Sequence, residues 1–278
     1  MRNLDLKVRL LLSIFTMLMG VFSSCSSDDD SPKFNDVTLV AGSSQSLTLG
    51  KDLEWKSGND LIASVTNGEI VAKRVGEVRI VSTKGTFKVN VTPRYSYFDE
   101  PCLAFGSTIQ GVKNEMKGYT LESEDGEKLL YKGVGYTKGI LYVFENSALE
   151  FSYILTSASY SKPVANWTGE RYVPLTFGDD YIAMISVDKT IVVAIMPMNI
   201  GNSWYYAIGY AKNDKISTDV KARGATVVIE DHIKKYIMNS DVFFEDFLKD
   251  STEGLGEESR TDLLNSLTLK NAFELEEL

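Results

Sequence analysis

The stretch IASVTNGEIVA, residues Ile62–Ala72, decides how the N-terminal part of this 278-residue chain is read. Two short apolar runs flank Asn67-Gly68, a dipeptide that accepts the left-handed backbone of a two-residue hairpin turn. Working outward, Leu47-Thr48-Leu49 and Leu53-Glu54-Trp55 precede this hairpin, and Val78–Ser82 and Thr86–Val91 follow it. Turn residues separate the runs: Gly50, Ser57-Gly58-Asn59-Asp60, Gly76, Lys84-Gly85 and finally Pro93. In the last run, alternation puts Phe87, Val89 and Val91 on one face and Lys88 and Asn90 on the other. Short strands at this regular spacing predict a small β-sandwich over residues 36–93.

The residues Trp55-Lys56-Ser57, Ile62-Ala63-Ser64-Val65, Asn67-Gly68-Glu69-Ile70-Val71-Ala72 and Gly76 together resemble a bacterial Ig-like group 2 domain. The segment is shorter than the family pattern between Gly50 and Trp55. The resemblance implies a spacer or adhesion module without catalytic residues. In it, Trp55 would be a large buried plug between the sheets.

Residues 95–223 read as an α+β domain with a weak internal repeat. After the aromatic-rich Tyr95-Ser96-Tyr97-Phe98, a helix is expected over Ser107–Lys117, with Ile109, Val112 and Met116 at helical spacing and Gly118 as its stop. Strands are expected at Tyr119–Ser123, Lys128–Gly133, Ile140–Glu145 and Leu149–Leu155. A second helix is expected near Ser161–Gly169, with Pro163 in its first turn, where a missing N–H costs nothing. Strands at Arg171–Thr176, Tyr181–Val187, Ile191–Pro197 and Trp204–Tyr210 would complete the second unit. Helix plus four-strand meander, twice, predicts one antiparallel sheet with helices on one face. The phrase Leu103-Ala104-Phe105-Gly106-Ser107, with Val112-Lys113 and Met116, resembles the start of domains in Bacteroidetes surface lipoproteins and implies no chemistry.

Residues 224–278 form an acidic tail in which Ile229, Ile233, Tyr236-Ile237, Phe243-Phe244 and Phe247-Leu248 recur at helical spacing. One or two amphipathic helices are expected there. The sheet face opposite the first two helices is then either open or covered by this tail, whose apolar stripe is expected to dock on the domain because an exposed row of that kind would aggregate. The fold class expected is therefore mainly β with α+β: a small Ig-like β-sandwich, an α+β domain with an antiparallel sheet, and a helical C-terminal tail.

The N-terminus gives an address. Arg2, Lys7 and Arg9 precede an apolar stretch from Leu10 to Phe22, and Ser23-Ser24 stands before Cys25. Apolar segments of roughly 7–15 residues with these flanks are cleaved export signals, whereas a span needs about 20 apolar residues. Residues 1–24 read as a lipoprotein signal peptide, with Cys25 as the lipidated new N-terminus and residues 25–35 as an acidic tether. Ser26-Ser27-Asp28-Asp29-Asp30 resembles the acidic export tag of Bacteroidetes surface lipoproteins, which implies the outer face of the outer membrane; the bland reading is a solvated tether. Removing residues 1–24, which hold Arg2, Lys7 and Arg9 against Asp5, takes the formal charge from −9 to −11. That acidity argues against nucleic acid and anionic lipid headgroups as partners. Cys102, the remaining cysteine, sits in the apolar run Cys102-Leu103-Ala104-Phe105 and reads as core.

The sequence offers little catalytic chemistry. The one histidine, His232, has no second histidine or cysteine at metal-ligand spacing. A triad built on it would need Ser159, Ser161 or Ser203 from another element, and no Gly-x-Ser-x-Gly elbow is present. Asp179-Asp180 offers paired carboxylates, but Gly178-Asp179-Asp180 also makes an ordinary turn. No phosphate loop, dinucleotide fingerprint or calcium loop appears, so neither a cofactor nor a metal is expected. The most ligand-like feature is aromatic: Trp204, Tyr206 and Tyr210 share one strand face with Ile208. They either stack a sugar ring or pack under the helices. The expectation is a lipid-anchored, non-catalytic surface protein that binds a glycan or another surface protein. The alternatives are a hydrolase with an unrecognised site and a structural component of a surface assembly.

Overall fold

A computed structural model describes residues 34–48, 53–177, 181–200 and 203–213, and the fold is mainly β with several sheets. The described N-terminal strands are β1 (Val37–Val40), β2 (Ser44–Ser46), β3 (Lys56–Ser57), β4 (Ala63–Thr66), β5 (Glu69–Ala72), β6 (Gly76–Ser82) and β7 (Gly85–Thr92). One sheet has the order β1-β7-β6-β3 and the other β2-β5-β4. Asn67 and Gly68 both take positive φ (50° and 75°) and join β4 to β5, with Thr66 opposite Glu69. Two central residues at φ > 0 make the turn whose twist matches antiparallel strands. Phe87, Val89 and Val91 are buried while Asn90 is exposed, as strand alternation requires. Ile70 and Ala72 of one sheet share a single apolar cluster with Ile80, Phe87 and Val89 of the other.

Three features of this part differ from the sequence reading. Strand β1 pairs parallel with β7, Val37 opposite Val89. Nothing local announces this, because the partner lies half a hundred positions away and no turn joins them. Leu47 is buried as a loop residue just after β2, its N–H donating to Gly68 O at 2.7 Å. Trp55 is half-buried and meets Phe34 and Phe87 edge-on at 4.8 and 5.4 Å. It stands at the rim of the core, not in its middle, because it immediately precedes the two-residue β3 at the edge of its sheet.

The larger sheet is built from two helix-plus-meander units. The first comprises α1 (Ile109–Glu115), β8 (Leu121–Glu124), β9 (Lys128–Lys132), β10 (Thr137–Glu145) and β11 (Ala148–Ser157). A 3₁₀ turn, Ala158–Tyr160, leads into the second: α2 (Ser161–Gly169), β12 (Tyr172–Phe177), β13 (Ile182–Ser186), β14 (Ile191–Ile200) and β15 (Ser203–Lys212). The strand order is β12-β13-β14-β15-β11-β10-β9-β8, with every neighbour antiparallel. Each meander therefore meets the other through its last strand. A shift of 54 positions carries residues 128–132 onto 182–186 and the start of β10 at 137 onto the start of β14 at 191. At the seam Ile154 is paired with Ile208, which the same shift relates. A two-fold relation through that pair, perpendicular to the sheet, keeps both helices on one face.

Local chemistry sets the helices. The Thr108 side chain caps α1 by accepting the Gly111 N–H at 3.2 Å. Pro163 lies in the first turn of α2, as its missing N–H allows. Val112 of α1 and Val164 and Trp167 of α2 are fully buried. They cover a row of paired residues crossing six strands: Tyr131, Ile140, Ile154, Ile208, Ile195 and Ile182. Cys102 is buried beside Val112 and Met116, in the core position read from its sequence. The reverse face is buried too, so β10, β11 and β15 are apolar almost without interruption.

Candidate functional site

The chain between β7 and α1 crosses from the small sheets to the large one, and an ion pair at the end of α2 fixes where it crosses. Glu170 follows the last turn of α2 and is buried. Its carboxylate accepts the backbone N–H of Arg94 at 2.9 Å and of Tyr95 at 3.1 Å, and pairs with Arg171 Nη1 at 2.5 Å. Arg171 in turn donates from Nη2 to Tyr95 O at 3.3 Å and from Nη1 to Trp167 O at 3.0 Å. Its guanidinium lies over the Trp167 ring, 4.5 Å from the centroid. Both backbone polar groups of Tyr95 are thus held by one acid–base pair. Two more bonds tie the same corner, from Val75 N–H to Glu170 O at 2.8 Å and from Arg74 Nε to Tyr172 O at 3.2 Å.

From this anchor a ladder of tyrosines runs outward. Tyr95 stacks on Tyr97 with centroids 5.3 Å apart and planes 18° apart. Tyr97 meets Tyr136 at 5.2 Å, and Tyr136 meets Tyr160 at 4.8 Å, both edge-to-face. Alternation along Tyr97-Phe98 sends Phe98 the other way, into the core against Trp167 at 5.5 Å. Tyr136 stands in the β9–β10 loop and is 37% exposed; Tyr95, Tyr97 and Tyr160 are half-buried. The loop is held tightly. Tyr136 O accepts Thr156 Oγ1 at 2.7 Å, and a Cβ on Gly133 would lie 2.2 Å from Thr137 O, so only glycine fits there. Val134, two residues before Tyr136, is exposed, and the hydroxyls of Ser157 and Ser159, just before Tyr160 in the chain, lie 2.9 Å apart. Tyrosines held on rigid supports offer broad amphipathic contact at little entropic cost.

Several buried phenols and one thiol around the large sheet are held in their neutral forms. Burial, with the Glu100 carboxylate close by, pushes the Tyr172 phenol well above its ordinary range, and Tyr172 donates to Glu100 at 3.3 Å. Burial raises Tyr142 and Tyr206 as well. Cys102 is pushed up to about 11, mainly by burial and then by its hydrogen bond to Glu115. A thiol so raised is a poor nucleophile at neutral pH.

Of the aromatic row read from sequence, Tyr206 and Tyr210 lie in the core beneath α2, and Trp204 packs half-buried at its edge. This is the packing alternative, and it follows from α2 covering the face that the row occupies. Ser159 is exposed on the 3₁₀ turn. Cys25, Ser26, Ser27, Asp28, Asp29, Asp30, Asp179, Asp180 and His232 lie outside the described residues, as does the tail over 224–278. Among the described residues no three ligating side chains come together as a metal site. A cleft of about 350 Å³ beside β1 and β2 contains Asp36, whose carboxylate already accepts the Lys88 N–H at 2.8 Å. The ladder itself is only partly visible in sequence: Tyr95 and Tyr97 form an aromatic cluster, but nothing links them to Tyr136 or Tyr160. Glu170 and Arg171 carry no signal beyond an adjacent acid and base.

Compared with protein-family models and with curated proteins, the chain matches neither a family nor a characterised protein.

Proposed function

We propose that this chain is a lipid-anchored protein of the outer membrane surface that binds a neutral glycan through the Tyr95-Tyr97-Tyr136-Tyr160 ladder. The anchor is Cys25, exposed as the N-terminus by signal cleavage, and Ser26-Ser27-Asp28-Asp29-Asp30 directs the protein outward. An Ig-like sandwich over residues 36–93 serves as spacer, an assignment supported by two sheets sharing one core. The tail over 224–278 is helical. The observation that carries the binding role is the half-exposed ladder, four rings at 4.8–5.3 Å spacing on supports that do not need to move. Sugar rings present apolar C–H faces that lie on such rings, and preorganised aromatics lose little entropy on binding. A formal charge of −11 after signal removal favours uncharged over anionic polysaccharides.

Native electrophoresis through gels cast with neutral polysaccharides (a galactomannan, a xyloglucan and a dextran) tests the reading. The wild-type chain is retarded in at least one of them, and Tyr97→Ala and Tyr136→Ala abolish the retardation while keeping the wild-type melting temperature within a few degrees. Equal mobility of all forms in every gel would overturn it.

A further inference from the structure

The face of the large sheet away from α1 and α2 is sealed, and no helix of the described residues seals it. Paired residues crossing that face run Leu130, Leu141, Tyr153, Gly209, Ala194 and Ala183. Ala183, Ala194 and Ala207 are each 0% exposed, and Met196 and Met198 only 6% and 3%. An alanine on an open sheet face shows its methyl to water, because it is too short to be shielded by strand neighbours. Complete burial of three of them therefore requires a layer on top. Within the described residues, the apolar cluster on this face consists of strand residues with only Tyr181 added from outside a strand. The described helices contribute to the clusters on the other side.

We infer that the segment after Asn213 folds back over this face and seats its bulky apolar stripe in the trough of small residues Ala183, Ala194, Ala207 and Gly209. Three observations select this occupant over a second copy of the chain. The chain leaves the sheet from β15, between β14 and β11 in the middle of the eight strands, so the segment starts where it is needed. It is 65 residues long (214–278), whereas the other stretches outside the described residues are a few residues each or the N-terminal 1–33. Its apolar residues Ile233, Ile237, Phe244 and Phe247 share one helical face, while acids such as Glu230, Asp231, Asp241 and Glu245 fill the remainder. A segment apolar on one side and acidic on the other covers a surface once and leaves a soluble exterior. Large rings over alanine and glycine also give the large-on-small packing that dense cores need.

Photo-cross-linking in the full mature chain tests this, with p-benzoylphenylalanine in place of Phe244. The expected product joins position 244 to Met196, Met198 or neighbouring β14–β15 residues within one chain. Cross-links between two chains would assign the face to a second copy and overturn the inference. Cross-links only to the α1–α2 side, or none, would overturn it as well. Peroxide oxidation of Phe244→Asp gives an independent readout. Met196 and Met198 should oxidise several-fold faster than in the wild type, while Met184, under α2, keeps its rate. Unchanged rates at Met196 and Met198 would overturn it.

Discussion

The buried carboxylate of Glu170 accepts the backbone N–H of Tyr95 at 3.1 Å, across 75 positions of sequence. The segment that enters the large sheet is thus positioned by main-chain bonds to one side chain, and the first ring of the tyrosine ladder inherits its place from them.

Glu170→Ala leaves the Arg94 and Tyr95 N–H groups and the Arg171 guanidinium without their shared acceptor. Breaking a buried pair by removing one partner costs about 3–5 kcal/mol. Chemical denaturation should show a loss of that size, and Tyr95 should lose its hydrogen-exchange protection. A change below about 1 kcal/mol would show that the corner is held by its other bonds.

Cys102 gives the fold a sensitivity to base. Its folded pKa, pushed up to about 11 from 9.0, means that the folded state favours the neutral thiol. The corresponding stabilisation is complete below about pH 9 and is lost as pH rises through about 11. The raised phenols of Tyr142, Tyr172 and Tyr206 act in the same direction at still higher pH. Melting temperature should fall between pH 9 and 11, and less steeply in Cys102→Ala. In a Cys25→Ser chain, Cys102 should resist iodoacetamide at pH 8 until the protein is unfolded. Rapid alkylation of the folded chain would contradict the burial.

Trp55 and Phe87 separate rim from core. Phe87→Ala removes a ring that is 3% exposed and should cost about 3–5 kcal/mol. Trp55→Ala removes a larger but half-buried ring and should cost about 2 kcal/mol. Paired denaturation curves decide the order. A greater loss at Trp55 would place it as the central plug that its sequence context suggests.

Cys25→Ser should abolish fatty-acid labelling and release the protein from the membrane fraction. Replacing Asp28, Asp29 and Asp30 with alanine should keep the lipid while reducing protease shaving of intact cells. Labelling that survives in Cys25→Ser would remove the anchor, and equal shaving of both forms would leave the acids as a tether.

Much of the large sheet is legible in the amino-acid sequence. Lys128–Lys132 and Ile182–Ser186 are short, largely apolar runs with glycine or aspartate within two residues of each end, and Ser161–Gly169 is a helix with its proline where proline is allowed. Local signals of this kind act within a few residues, so one chain displays them. The Asn67-Gly68 hairpin is the clearest case, because its backbone conformation is a property of those two residues.

What needed the tertiary structure is everything set by partners far apart in sequence. The parallel pairing of Val37 with Val89, the seam between Ile154 and Ile208, and the burial of Tyr206 and Tyr210 under α2 have no local cause. Nor does the ladder from Tyr95 to Tyr160, whose first ring is placed by Glu170 and Arg171 gripping a segment some 75 residues earlier. Alternation tells which residues share a face of a strand, but only the packing of the next layer decides whether that face meets water or a helix.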